Sequence, residues 1–237
     1  MQQDQPTAAS PIQPRIQSAP GQPIRLAILI SGGGTTLLNL LDNIDAGKLN
    51  ATIATVICSN AKSYDAITTK LQGRGLQPNT PDTFPIHKAF RKDHPSTETF
   101  SDLIFSHIKD AAADLVCLAG FLSLLTIPDD YMHNVINIHP ALLPAFGGKG
   151  MHGHHVHTAV LKHGCKLSGC TVHFADPTYD TGPIILQRSC PAYDTDTPDD
   201  LAARIFEQEC IAFPEAIQLI ADRRVTILGR TTQISNS

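Results

Sequence analysis

The sequence has no CxxC pair, no excess of positive charge and no apolar run approaching the roughly 20 residues that span a bilayer. Each absence removes a class of function. Its six cysteines, at 58, 117, 165, 170, 190 and 210, read as reduced thiols in a cytoplasmic protein, with Cys58 and Cys117 inside apolar runs. Lys and Arg number 18 against 22 acids, a net charge of −4, so the clustered basic field that neutralises nucleic-acid phosphates is not there. Residues 1–23 are rich in Gln and Pro but lack the basic start and apolar centre of a secretory signal; they read as a disordered tail, with too little apolar surface to offset chain entropy.

What is present fits one soluble globular domain. The chain has 237 residues, 42% of them hydrophobic and 17% charged. Strand-like runs at Ile24–Ile30, Ala51–Cys58, Phe84–His87, Leu115–Ala119 and Val135–Ile138 alternate with helical stretches at Thr36–Ala46, Ala61–Gly75 and Ser96–Ala113. Continuous Val/Ile/Leu strands between helices predict an α/β, Rossmann-like, mostly parallel twisted sheet with helices on both faces. The pattern then changes to a strand pair, Leu167–Ala175 and Pro183–Ala192, expected as an antiparallel hairpin. A long amphipathic helix, Pro198–Arg223, follows, and Val225–Leu228 reads as an edge strand. The expected division is a tail at 1–23, a catalytic domain at 24–229 and a short tail at 230–237.

Three segments carry chemistry. The first is Ser31-Gly32-Gly33-Gly34-Thr35-Thr36, between the first strand and first helix. Its backbone NH groups and the helix N-terminus suit an anion such as a phosphate. A dinucleotide fingerprint would need glycine where Leu37 stands and an acid after the second strand, which ends in Ser59-Asn60; a nucleotide P-loop would need a lysine the turn lacks. A simple phosphate such as a sugar phosphate remains, beside the plain reading of a tight turn.

The second segment is Asn137-Ile138-His139-Pro140-Ala141-Leu142-Leu143-Pro144, at the carboxyl end of a buried strand, where open α/β sheets place their ligands. Alternation puts Asn137 and His139 on one side, an amide beside a proton shuttle. The third is His173-Phe174-Ala175-Asp176-Pro177-Thr178-Tyr179-Asp180-Thr181-Gly182-Pro183. A carboxylate from it near His139 would raise that histidine's pKa; otherwise Asp180 caps a turn. His152, His154, His155 and His157 crowd one loop without Cys or acid at ligand spacing, so a polar loop entering a helix at about His155 is favoured over zinc. Glu209, on the last long helix, reads as solvated, with a role at a ligand amine or sugar hydroxyl left open.

Together with Ala119-Gly120-Phe121 and Asp180-x-Gly-Pro-Ile-Ile-Leu-Gln187, these segments resemble the phosphoribosylglycinamide formyltransferases, folate-dependent enzymes of purine synthesis. The resemblance runs in family order over residues 24 to 228. It implies transfer of a formyl group from 10-formyltetrahydrofolate to glycinamide ribonucleotide, with these two small molecules as partners and no metal, nucleic acid or membrane. It also implies that Gly34, Thr35, Thr36 and Glu209 hold the ribonucleotide, that Leu122, Ser123, Leu124, Leu125 and Asn137 line the folate pocket, and that Asn137, His139 and Asp180 are catalytic. In that chemistry the amine attacks the formyl carbon, Asn137 and protonated His139 stabilise the oxyanion, and Asp180 keeps His139 protonated.

The chain departs from the family pattern at Thr36, where relatives carry Asn, and at Ser123 and near Thr97, where they often carry Arg. It also has a longer loop at 146–154, in which Lys149 is a further candidate contact. Oligomeric state stays open. So do rival readings. A formyltetrahydrofolate deformylase normally has a domain ahead of the catalytic one, and here about 23 residues precede Ile24. A methionyl-tRNA formyltransferase has a further C-terminal domain and a basic surface, and a sugar-nucleotide formyltransferase a different first loop. A non-catalytic sugar-phosphate or folate binding module is the alternative outside enzymes.

Overall fold

The computed structural model describes residues 10–236. In chain order the elements are β1 (Ile24–Ile30), α1 (Thr35–Asp45), β2 (Ala51–Cys58), α2 (Ala61–Gly73), β3 (Ile86–Lys88), α3 (Thr97–Asp110), β4 (Leu115–Leu118), β5 (Val135–His139), α4 (His154–Lys162), β6 (Leu167–Phe174), β7 (Ile184–Pro191), α5 (Pro198–Ala221), β8 (Val225–Leu228) and β9 (Thr231–Ile234). Seven strands form one sheet in the order β3-β2-β1-β4-β5-β6-β7. The first five are parallel; β6 and β7 return antiparallel.

The apolar runs explain this layering. In β1 every residue after Arg25 is buried, because helices cover both faces of the sheet. Leu26, Ile28 and Ile30 pack with Leu37, Leu40, Ile67, Val156, Phe213 and Ile217 from α1, α2, α4 and α5. Their alternates Ala27 and Leu29 pack with Phe100, Ile104 and Ile108 of α3. The ends of α3 and α5 are set by capping boxes, Ser96 with Thr99 and Thr197 with Asp200, so both helices start where the sequence predicts within a residue. Because the chain winds outward from β1 in both directions, the sheet has a switch point between β1 and β4, and a crevice opens beyond the carboxyl ends of the central strands.

Two expectations are corrected at the termini. Val225–Leu228 is no edge strand of the main sheet; it pairs with Thr231–Ile234 across a two-residue turn at Gly229-Arg230, so residues 231–234 form a strand rather than a tail. The Thr232 hydroxyl ties this hairpin to the main sheet by donating to the Ile184 carbonyl, 2.6 Å away. Residues 1–9 of the expected disordered tail lie outside the described residues, but 10–23 are fixed to the domain. Ile12 exchanges backbone hydrogen bonds with Ile227. Asn134 brackets the backbone of Arg15, and Asp114 accepts from the backbone NH groups of Gln17, Ser18 and Arg25 and from the Ser18 hydroxyl. Polar side chains of the domain hold the segment's backbone, and buried Pro14 with Ile16, packed against the core, completes an order that composition did not promise.

Burial opposes a charge on Asp114, but these four hydrogen bonds outweigh it and hold the carboxyl below its ordinary 3.8. The stability it contributes is therefore present above that value and is lost as pH falls through the native pKa. Asp114→Ala leaves backbone donors without an acceptor and is expected to cost on the order of 3 kcal/mol at pH 7. Urea unfolding measures this; a loss below about 1 kcal/mol would mean the segment is not held through this carboxylate.

Candidate active site

The crevice at the switch point is a cavity of about 610 Å³. Its centre is the end of β5. His139 is the last residue of that strand, and β6 pairs with it so that Asn137 lies opposite His173 and His139 opposite Thr171. The Thr171 hydroxyl donates to Ala141 and accepts from the Leu143 backbone and the Gln187 amide, which fixes the loop that follows His139.

Asp180 comes from the β6–β7 connection. The turn-capping role open to it belongs to Asp176, whose carboxylate takes the Thr178 backbone NH and the Thr181 hydroxyl. Asp180 sits instead in the left-handed region, at φ 57°, and points inward. One oxygen accepts from the Gly148 backbone at 2.9 Å and lies 3.6 Å from His139 Nδ1. The other accepts from Asn137 Nδ2 at 3.4 Å and lies 3.7 Å from His173 Nε2. Gly147 permits this closeness: a Cβ there would stand 2.5 Å from Leu143 and 3.2 Å from the Asp180 Cβ.

His173 is a member that the sequence reading left out of its site. Its Nδ1 donates to its neighbour's carbonyl at 2.8 Å, so Nε2 is free to accept from Asn137 Nδ2 at 3.1 Å. The signal for it was the strand pairing, since a histidine opposite Asn137 on the next strand shares its face.

The charges differ from the expectation for His139. Burial lowers its pKa below the ordinary 6.5; Asp180 and the Phe146 carbonyl, 2.9 Å from Nε2, push upward but do not overcome it, and His173 adds to the lowering. The resting imidazole is therefore neutral, although each ring nitrogen faces an acceptor and the ring is placed to hold a second proton. For Asp180, burial favours the neutral form, but the neighbouring His173 and His139 rings and the Gly148 NH outweigh it and keep it ionised.

Around this centre the cavity divides. On one side run Phe121, Leu122, Ser123, Leu124 and Leu125 after β4, with Leu122 and Leu124 exposed at the mouth. On the other side stand Thr36 and, from α5, Ala202, Phe206 and Glu209. Glu209 is not the solvated residue expected: it faces the cavity from within the wall, and burial pushes its carboxyl up to about 7. Of the glycine turn, Thr36 lines the cavity, whereas Thr35 is exposed beside it and Gly34 is buried beneath. Gly34 is required there, since it begins α1 at φ 74° and a Cβ would stand 2.5 Å from Ile67. No side chain caps α1, so its first NH groups are open to an anion. The lysine that the turn lacks arrives from α2: Lys70 Nζ donates to the Gly33 carbonyl at 2.6 Å and has no acidic partner among the described residues. Near Thr97 the guanidinium of Arg91 stands 3.5 Å from the threonine hydroxyl, outside the cavity wall.

Of the histidine run, Lys149 and His152 to His154 edge the cavity and His157 turns into it. Among the described residues no group of three or more His, Cys, Asp or Glu is placed to hold a metal ion. His157 is buried, and burial first, then the neighbouring His154 and His139, lowers its pKa to about 4. A histidine kept neutral in the native state and free to charge at 6.5 when unfolded makes the protein lose stability as pH falls from about 6.5 to about 4. The thermal midpoint is expected to drop across that window, and less steeply in His157→Gln; equal slopes in the two proteins would contradict this assignment.

Residues 24–217 match the family model described as formyl transferase. A phosphoribosylglycinamide formyltransferase of Escherichia coli is 30% identical over 85% of this chain and 89% of its own length. The chloroplastic phosphoribosylglycinamide formyltransferase of Vigna unguiculata is 34% identical over 85% of this chain; the chain spans 62% of that relative's length. The crystal structure of glycinamide ribonucleotide transformylase 1 from Symbiobacterium toebii superposes with a TM-score of 0.79 at 35% identity, covering 91% of this chain and 96% of that one. A formyltetrahydrofolate deformylase of Pseudomonas syringae, at 21% identity and TM-score 0.77, shares the fold.

Proposed function

The chain belongs to the formyl transferase family, and from that membership we propose that it transfers the formyl group of 10-formyltetrahydrofolate to the amine of glycinamide ribonucleotide. The observation that carries this reading is the meeting of Asn137, His139 and Asp180 between two unlike halves of one cavity. The leucine-rich half suits the heterocyclic ring of a folate, at Leu122, Ser123, Leu124 and Leu125, whose side chains cover its faces while backbone groups of the loop meet its polar edge. The other half offers an anion the first turn of α1, from Gly34, Thr35 and Thr36, with Lys70 as the nearest cation and Glu209 for the rest of the ribonucleotide. Six unpaired thiols support a reducing, cytoplasmic setting.

In the mechanism proposed, the substrate nitrogen attacks the formyl carbon. A carbon–nitrogen bond forms, the carbonyl oxygen becomes an oxyanion, and the carbon–N10 bond of the folate then breaks as the amine proton passes to N10. The oxyanion adds its negative charge to that of Asp180 beside His139. Two charges overcome the burial that keeps this ring neutral at rest, so His139 takes the proton released by the attacking amine, holds it beside the oxyanion and hands it on to N10 as the carbon–N10 bond breaks. Asn137 gives up its long 3.4 Å bond to Asp180 for the oxyanion, while His173 keeps its amide turned the right way. Glu209, with its carboxyl near 7, accepts from a ligand hydroxyl or amine at little cost in either protonation state.

Turnover followed by the absorbance of the folate product is the direct test. His139→Ala is expected to lower kcat by about 10²–10⁴-fold with folate affinity nearly unchanged; undiminished turnover would overturn the mechanism. Lys70→Ala is expected to raise KM for glycinamide ribonucleotide roughly tenfold with kcat retained, as for loss of one phosphate contact. If purified protein releases formate from 10-formyltetrahydrofolate with no amine present and ignores the ribonucleotide, it is a deformylase and the proposal fails.

A further inference from the structure

The histidine run at 152–157 divides into an outer and an inner part. His154 reaches Asp199 on the surface, 3.3 Å away with both side chains exposed, and the rings of His152 and His155 stand 5.4 Å apart. His157 alone is driven inside, only 5% exposed, by the rotation of α4. Its Nδ1 is fully buried and has no hydrogen-bond partner, while its ring forms part of the cavity wall beside Ala202, Phe206 and Glu209, which share one face of α5.

An imidazole in this position has a tautomer to choose. A buried N–H without a partner costs about 1–3 kcal/mol, and orphaned N–H groups are rarer in proteins than unsatisfied lone pairs. The proton therefore belongs on Nε2, the ring's other polar end, and Nδ1 keeps a bare lone pair. Since burial holds the ring neutral at pH 7, it is a donor with no charge to balance and a poor base. The half of the cavity that it lines is the one bounded by Thr36 and Glu209, and it stands close enough to His139 for that ring to lower its tendency to charge.

We propose that His157 is a substrate-positioning residue that donates an Nε2–H hydrogen bond to an oxygen of the ribose–amide portion of the phosphorylated amine, aiming its nucleophilic nitrogen at the formyl carbon in front of His139. This rests on the function proposed above and adds a contact to it. The phosphate is held at the turn before α1 and Glu209 takes a donor group of the ligand. His157 then supplies the donor that fixes rotation about the axis between those two points. A neutral donor serves this end better than a cation, because it does not pull on the Asp180 carboxylate that His139 needs.

The test compares His157→Leu, which removes the donor, with His157→Gln, which retains one. In Leu the KM for glycinamide ribonucleotide should rise about tenfold, with kcat within about threefold and the KM for 10-formyltetrahydrofolate within about twofold. Gln should recover a good part of the loss. In parallel, nitrogen-15 NMR of the wild-type protein should show His157 as the neutral Nε2–H tautomer, and its Nε2 signal should move on addition of glycinamide ribonucleotide but not of the folate alone. An unchanged ribonucleotide KM in Leu, equal losses for both substrates, or a resting Nδ1–H tautomer overturns the proposal. Failure of the underlying function is read separately, as wild-type protein that does not turn over; there the NMR titration with the ribonucleotide still decides whether His157 meets a ligand oxygen.

Discussion

Everything in the site hangs on the register between β5 and β6. Antiparallel pairing sets Asn137 against His173 and His139 against Thr171, and side chains in a strand alternate faces. A slip by one residue would turn both polar pairs to the other side of the sheet and put the apolar Ile136 and Ile138 in their places. The register has strong sponsors. Val172 and Phe174 are fully buried in the core, and the Thr171 hydroxyl and Gln187 amide clasp the loop after β5. The same side chains that fix the fold thus fix the angle at which His139 faces Asp180.

The electrostatics follow from that placement. One carboxylate is buried among an amide, a backbone NH and two histidines, and the His139 ring beside it rests neutral. Burial of His139 is worth more than the attraction of Asp180. The site thus holds an unspent attraction, available to whichever negative charge arrives next. Glu209 repeats the theme at the far wall, where burial without any charged partner brings a carboxyl up to about 7. A cavity built of groups near their switching points moves protons without large rearrangement of its frame.

The α/β order, the parallel core and the returning hairpin were readable because periodicity survives in buried strands: β1, β2 and β5 begin where their apolar runs begin. Asn137 and His139 were readable from alternation alone. Asp180 and Glu209 were not, for distinct reasons. Asp180 lies in a loop whose two acids look alike in sequence; the left-handed backbone at one and the Asx-type turn at the other decide which points inward. Glu209 is two residues from exposed Glu207 on the same helix, and only the neighbouring β-sheet and α1 decide which face is covered. Lys70 was invisible because the turn it serves is 37 residues away. The docking of residues 10–23 was misread because composition describes a segment's own apolar surface and says nothing of an acceptor such as Asp114 waiting for its backbone.

Ser31 joins the two halves of the cavity. Its backbone NH donates to the Gly120 carbonyl and its hydroxyl accepts from the Leu122 NH, so the end of β1 holds the leucine-rich loop. The same hydroxyl meets that of Ser59 at 2.7 Å, and the Ser31 carbonyl accepts from Asn60, which also caps α2. α2 in turn carries Lys70 to the glycine turn. Filling either half therefore bears on hydrogen bonds that shape the other, through one serine at the switch point of the sheet. A parallel sheet supplies this coupling at no extra cost, because β1, β2 and β4 end side by side. Loops that start from adjacent strand ends share backbone partners before any ligand is bound, and a two-sided site built on them is organised by the topology that created the crevice.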